Sequence, residues 1–300
     1  MDDQKAFDLT VWQLKRYFLD MPVEEALKAK GIEPDFIGDP NWAYVHRETD
    51  REDIYWIRNF SGAAGSDVIL LRGGKGQPRV LDPVTGKIRL VNGGTFADSY
   101  RFFELSMEAN DALFVVIPRI QAVEVPVVHP GKIPLMTLDG SWMLFFESGM
   151  GAPSTVIFEK LMSYTESQVP AIRYYSGTVT YQKNFNLLRK QMRGAKAFEI
   201  DLGDVKNLAR VSVNGHDLGV VWRAPFRVEV PKEYLHSGMN TLEVKVINLW
   251  PNRIIGDLQP GTRRKWTYTA SNWYTADSPL LSSGLLGPVT LSSIQSEEIR

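Results

Sequence analysis

Leu208-Ala209-Arg210-Val211-Ser212-Val213-Asn214-Gly215-His216-Asp217-Leu218-Gly219-Val220-Val221-Trp222 is the stretch whose reading decides the fold. Ala209, Val211 and Val213 alternate with Arg210 and Ser212, which turns one face of a strand toward a core. Asn214-Gly215 then supplies two residues that tolerate φ > 0, as a two-residue type I′ turn requires. The apolar run at 218–222 returns beside the first strand. The element is a hairpin, and a hairpin means an antiparallel sheet.

Working outward, the same period of two recurs on both sides. It is present at 142–146, 177–183, 197–202, 226–230 and 240–248. About eight such strands in about 160 residues predict a jelly-roll sandwich over 137–296. A second group lies upstream, at 43–47, 53–59, 66–71 and 112–117. Its turn signals are Thr49-Asp50, Ser61-Gly62, Gly73-Gly74, Asp82-Pro83-Val84-Thr85-Gly86 and Asn92-Gly93-Gly94, and together they predict a small antiparallel β-sandwich over 41–118. Pro118, Pro126, Pro130 and Pro134, interleaved with valines, mark 119–136 as an extended linker.

Residues 1–40 read differently. Phe7, Val11, Leu14, Tyr17, Phe18, Val23, Ala26 and Leu27 stand at helical spacing. Asp20 as N-cap, Pro22 in the first turn and Gly31 as the stop predict one short helix at 22–30. A segment this short has no core of its own, so it reads as the remnant of a preceding domain. The predicted fold class is mainly β: two antiparallel sandwiches behind a short N-terminal helical segment.

Composition excludes several functions. The 300 residues carry 34 basic and 35 acidic side chains, a formal charge of −1. That balance leaves no electrostatic footprint for nucleic acid or for an anionic membrane. No apolar run approaches the roughly 18–20 residues of a membrane span. Cysteine is absent, which removes disulfides, thiolate metal sites and a cysteine nucleophile. The first residues show no basic region followed by an apolar one, so no signal peptide is expected.

The motifs of catalysis are missing as well. There is no G-x-S-x-G, no phosphate loop, no G-x-G-x-x-G after a strand and no H-E-x-x-H. His46, His129, His216 and His236 are scattered, without i, i+4 spacing, and read as structural or solvated. A glycosidase needs two carboxylates facing across the sugar. Glu147, Glu159, Asp201, Asp204, Glu243, Asp257 and Asp277 are available, but no spacing pairs any two of them. No catalytic residue, metal ligand or cofactor site is therefore expected.

What the last domain does carry is aromatic rings beside arginine and asparagine in loops. Trp222-Arg223-Ala224-Pro225-Phe226 follows one strand and Asn248-Leu249-Trp250-Pro251-Asn252-Arg253 ends another. Trp266, Tyr268, Trp273 and Tyr274 fall in a strand-poor stretch from 251 to 283. Sugar sites combine such groups, because an aromatic face stacks on apolar C–H groups while arginine and asparagine bond hydroxyls. Trp222, Arg223, Asn252, Arg253, Trp266 and Trp273 are the candidate carbohydrate contacts. The competing reading makes the same rings plugs of the sandwich end or contacts to another domain. Trp250 is expected to be buried, and Trp42, Tyr44, Tyr55 and Trp56 to pack in the core of the first sandwich.

The motifs also carry a family resemblance. Tyr175-Ser176-Gly177-Thr178-Val179-Thr180-Tyr181 is similar to a strand of the sugar-binding, galactose-binding-like domain of family 2 glycoside hydrolases. The run from Asp201-Leu202-Gly203-Asp204 through Val213-Asn214-Gly215-His216 to Trp222-Arg223-Ala224-Pro225-Phe226 extends the match. With Asn248-Leu249-Trp250-Pro251-Asn252-Arg253 and Ser283-Gly284-Leu285-Leu286-Gly287-Pro288-Val289, the chain resembles the C-terminal β-sandwich region of glycoside hydrolase family 106, the α-L-rhamnosidases. Val45-His46-Arg47, Asp53-Ile54-Tyr55-Trp56 and Leu81-Asp82-Pro83-Val84-Thr85-Gly86 follow in the same order, so the likeness runs from about residue 20 to 292.

The resemblance implies a non-catalytic accessory region, following a (β/α)₈ barrel that this sequence does not contain. It implies no cofactor, a rhamnose-containing or other plant or bacterial polysaccharide as partner, and a separately encoded catalytic barrel as a second one. It also implies a periplasmic or extracellular setting. The alternative is a stand-alone carbohydrate-binding protein without hydrolase activity. The sequence leaves open which sugar is bound, a structural calcium and the oligomeric state.

Overall fold

The computed structural model describes residues 22–96, 99–120, 131–270 and 273–295. The chain divides into two units, Met1–Val127 and Val128–Arg300.

In the first unit a helix, α1 (Val23–Ala29), carries Glu24 and Glu25 in its first turn, where acids oppose the helix dipole. Its N-cap is Pro22 rather than Asp20, which lies outside the described residues, as do the apolar positions from Phe7 to Phe18. Gly31 follows the helix at φ +67°, the left-handed stop expected there. Nine strands come next: β1 (Phe36–Ile37), β2 (Trp42–Glu48), β3 (Glu52–Asn59), β4 (Gly65–Arg72), β5 (Arg79–Leu81), β6 (Ile88–Leu90), β7 (Gly94–Phe96), β8 (Tyr100–Met107) and β9 (Ala112–Pro118). They form two antiparallel sheets, ordered β1-β4-β8-β7 and β2-β3-β9-β5-β6.

Inward residues of both sheets make one core, with Tyr55, Ile57, Ile69, Leu71, Leu105, Val115 and Ile117 fully buried. Trp42 and Tyr55 are core residues as expected, whereas Tyr44 stays 38% exposed and Trp56 half-buried. Four strands between Arg72 and Ala112 escape the sequence reading. Three have only three residues each, too short for a period to register. Residues 36 and 37, read as part of the helical segment, instead form an edge strand on β4, with the Phe36 ring stacked on Tyr44.

One polar network sits inside this unit. Asp53, although charged, is 2% exposed. It accepts a hydrogen bond from the Gly74 N–H at 2.8 Å and lies 3.0 Å from His46 Nε2 and 3.2 Å from Arg119. Burial pushes its carboxyl up, but Gly74, Arg119 and His46 outweigh that and hold it below the usual carboxylate range. His46 Nδ1 faces Asp35 at 3.0 Å, and Asp35 also pairs with Arg72. Burial raises the Asp35 carboxyl too, and His46 and Arg72 bring it down overall. With its ring stacked on Tyr55 at 4.2 Å, His46 has the structural role expected of it.

The second unit has twelve strands: β10 (Lys132–Thr137), β11 (Trp142–Phe146), β12 (Thr155–Phe158), β13 (Thr178–Leu187), β14 (Ala195–Asp201), β15 (Asp204–Lys206), β16 (Leu208–Val213), β17 (His216–Val221), β18 (Arg227–Pro231), β19 (Gly238–Ile247), β20 (Gly284–Gly287) and β21 (Thr290–Gln295). Two sheets, β10-β21-β14-β18 and β12-β11-β13-β19-β16-β17, bury their apolar faces in a single core, and β15 pairs with β20. This is an antiparallel β-sandwich. Residues 132–137, read as part of the linker, are the edge strand of the first of these sheets, paired with β21. Pro134 is tolerated at an edge because its missing N–H leaves no ladder bond unmade.

The deciding hairpin forms as read. Val213 stands opposite His216, and Asn214 and Gly215 take φ of +51° and +82°. The Asn214 amide donates to Tyr234 O and Asn240 Oδ1, both at 2.8 Å, and its Oδ1 accepts the Thr241 N–H at 2.9 Å. Two short helices interrupt the sandwich, α2 (Pro170–Arg173) and α3 (Pro251–Asp257), each with proline in its first turn. Among the described residues no helix is long and apolar enough to cross a membrane.

Candidate functional site

The site is built on α3 and the chain that follows it. Pro251 opens the helix, where a missing N–H costs nothing. Five of its seven residues, Asn252, Arg253, Ile255, Gly256 and Asp257, are buried. A helix of seven residues is too short for hydrophobic periodicity to show within the strand-poor stretch 251–283. Trp250, expected in the core, is the N-cap residue and is 50% exposed. The strand before it ends at Ile247, and the chain has already left the sheet when it reaches the ring.

Each buried polar residue of α3 has a distinct use. Asn252, 1% exposed, donates to Leu281 O at 2.6 Å and Ser283 Oγ at 2.9 Å and accepts the Leu281 N–H at 2.8 Å. Its amide is committed to pinning the returning chain and presents nothing outward. Asp257 Oδ2 accepts the Trp266 and Thr267 N–H groups at 2.8 and 2.7 Å and the Thr267 hydroxyl at 2.8 Å. This fixes the loop after the helix. Asp257 Oδ1 lies 3.0 Å from Arg253 Nε, one turn back.

Loop and helix border an open cavity of about 470 Å³, within the size range of small-molecule sites. Arg253, Arg263, Arg264, Gln259 and Trp266 line it, together with Tyr174 and Gly151 from other parts of the unit. Gly256 lets the helix pack closely here: a Cβ there would stand 2.5 Å from Tyr174 Cβ and 2.5 Å from Arg253 Nη2. The Arg264 guanidinium lies 3.9 Å from the centre of the Trp266 ring and covers one face of it. That is a cation–π contact.

Of the six sequence candidates, the structure brings Arg253 and Trp266 together in this lining. Trp222, 59% exposed, and Trp273, 83% exposed, present large aromatic surfaces elsewhere than in this lining. Arg223, in the loop after β17, donates to Ala224 O at 3.3 Å. Arg263 and Arg264 were missed. Their signal was Arg263-Arg264-Lys265, the longest basic run in the sequence, directly before Trp266. Two candidate carboxylates are engaged with arginines, Asp257 with Arg253 and Asp201 with Arg227 at 2.6 Å. Among the described residues no cluster of three or more metal-ligating side chains occurs.

No family model matches the chain. The solved structure of a rhamnosidase from Novosphingobium sp. PP1Y is 36% identical over 90% of this chain, with a TM-score of 0.81. A curated protein from Formosa agariphila, described as "Putative beta-glucuronidase", is 37% identical over 182 residues, covering 53% of this chain. The chain spans only 26% of the rhamnosidase and 16% of the Formosa protein. It is therefore similar to a part of larger glycosidase-type proteins.

Proposed function

We propose that this chain is the non-catalytic accessory region of an α-L-rhamnosidase-like glycoside hydrolase of family 106, with a galactose-binding-like sandwich as its second unit. The observation that carries the reading is the 36% identity, at a TM-score of 0.81, to part of a rhamnosidase over 90% of the chain. In this reading the second unit contacts a rhamnose-containing polysaccharide or packs on a catalytic barrel outside this chain. Arg253 and Trp266 serve the glycan, since they converge on a cavity of suitable size, and Trp222, Arg223 and Trp273 offer further exposed surface. Asn252 drops out of the contact set because its amide is spent within the fold.

The described residues form two sandwiches, and the carboxylates in them are not paired across a cleft by any spacing in the sequence. A glycosidase's acceleration of about 10⁶-fold or more then has no source among the described residues. Purified chain should leave aryl α-L-rhamnosides intact while binding rhamnose-containing oligosaccharides saturably at micromolar to millimolar concentration. Turnover abolished by mutating a single carboxylate here would overturn the non-catalytic reading. Absence of any glycan binding at millimolar concentration would overturn the sugar-contact reading and favour barrel packing.

A further inference from the structure

Arg253 is a buried arginine at the wall of this cavity. It is 6% exposed, its guanidinium donates no hydrogen bond among the described residues, and Nε and the Asp257 Oδ1 beside it are both buried without a hydrogen bond of good geometry. Its one opposite charge is Asp257, whose Oδ1 lies 3.0 Å from Nε and whose Oδ2 is fully occupied by the loop. Buried guanidinium groups ordinarily have their donors satisfied, because an unmade bond to a charged group costs more than one to a neutral group. Arg253 nevertheless lines the cavity of about 470 Å³, where an incoming acceptor could reach it.

The rest of the lining has the same sign. Arg263 and Arg264 are exposed lining residues, and neither Asp nor Glu is among those that line the cavity. Trp266 orients one of the arginines: with Arg264 over its ring, that face is closed to a sugar, and a cation is presented in its place. A site for a neutral sugar would offer the bare aromatic face and neutral hydrogen-bonding groups. This one offers three planar forks that match a two-oxygen anion.

We propose that the cavity recognises an acidic sugar residue, its carboxylate or sulfate group seated against Arg253 with Arg263 and Arg264 beside it. This rests on the carbohydrate-binding reading above and narrows its ligand to anionic glycans.

The test is calorimetric titration of the full chain with a galacturonate disaccharide, its carboxyl-reduced counterpart and a sulfated disaccharide, at low and high salt. At least one acidic ligand should bind ten or more times more tightly than the neutral one, and should weaken as salt rises. Arg253→Met should abolish binding. Because that variant leaves Asp257 unpaired, Arg263→Ala/Arg264→Ala provides a second probe at exposed positions: acidic-ligand affinity should fall several-fold with an unchanged melting curve. Equal affinity for acidic and carboxyl-reduced sugars would overturn the anionic assignment and leave the accessory carbohydrate-binding reading standing. No binding of any of the three by folded protein would remove both, and would assign the cavity to protein packing.

Discussion

Replacing Asp257 by Asn separates the two uses of this carboxylate. The amide has nearly the same shape, and its oxygen, placed where Oδ2 sits, still accepts the Trp266 and Thr267 N–H groups and the Thr267 hydroxyl. The amide nitrogen then replaces Oδ1, 3.0 Å from Arg253 Nε, and sets donor against donor. The side chains of this pair are 7% and 4% exposed, so water cannot take over the lost counter-charge. Breaking a buried pair from one side costs about 3–5 kcal/mol. With the loop bonds retained, the lower end applies, about 3 kcal/mol. For a domain of this size that lowers Tm by about 6–12 °C. Urea unfolding of wild type, Asp257→Asn, Arg253→Met and the double variant gives the coupling directly. The double variant should lose less than the sum of the singles, because removing both charges strands neither. A loss below about 1 kcal/mol for Asp257→Asn, with additive singles, would refute the idea that this pair is electrostatically buried. An acidic disaccharide bound in the cavity should restore part of the lost stability to Asp257→Asn.

Gly215→Val places a β-branched residue at φ +82° in the deciding hairpin; it should cost about 1–3 kcal/mol, and an unchanged melting midpoint would contradict the turn geometry. Gly256→Ala puts a methyl 2.5 Å from both Tyr174 and Arg253. It should cost about 1–3 kcal/mol through overpacking and weaken any ligand of the cavity, measured by thermal unfolding and titration. Asp35 and Asp53 ionise more readily in the folded first unit than the ordinary 3.8. A lowered carboxylate stabilises above the unfolded value, and that contribution disappears as pH falls through the folded one. The first unit should therefore lose stability from about pH 4 downward, and Asp53→Asn should flatten that acid limb at a cost in stability near neutral pH. An acid limb of equal steepness in the variant would show that the network carries no such linkage.

The sequence determined most of the long, half-buried strands unaided, although β8, eight residues of alternating burial, escaped it. Ala209, Val211 and Val213 announce their face by alternation, and Asn214-Gly215 announces the turn by the φ that few other pairs can take. The same physics makes β3 and β9 legible, and with them an antiparallel sandwich in each unit. Short elements escaped because a period needs several repeats to show, and β5, β6, β7 and α3 have seven residues or fewer. The candidate site was half legible. Its residue types, arginine beside tryptophan in a loop, stood in the sequence, and Arg253 and Trp266 do meet. Which groups face outward was not written there. Asn252 and Arg253 are neighbours in sequence and both buried, yet one spends its amide on Leu281 and the other keeps its guanidinium free of hydrogen bonds at a cavity wall. That difference arises only when chain some ten to thirty residues further on folds back over the helix, because satisfaction of a polar group is a property of its three-dimensional neighbours and not of its own side chain.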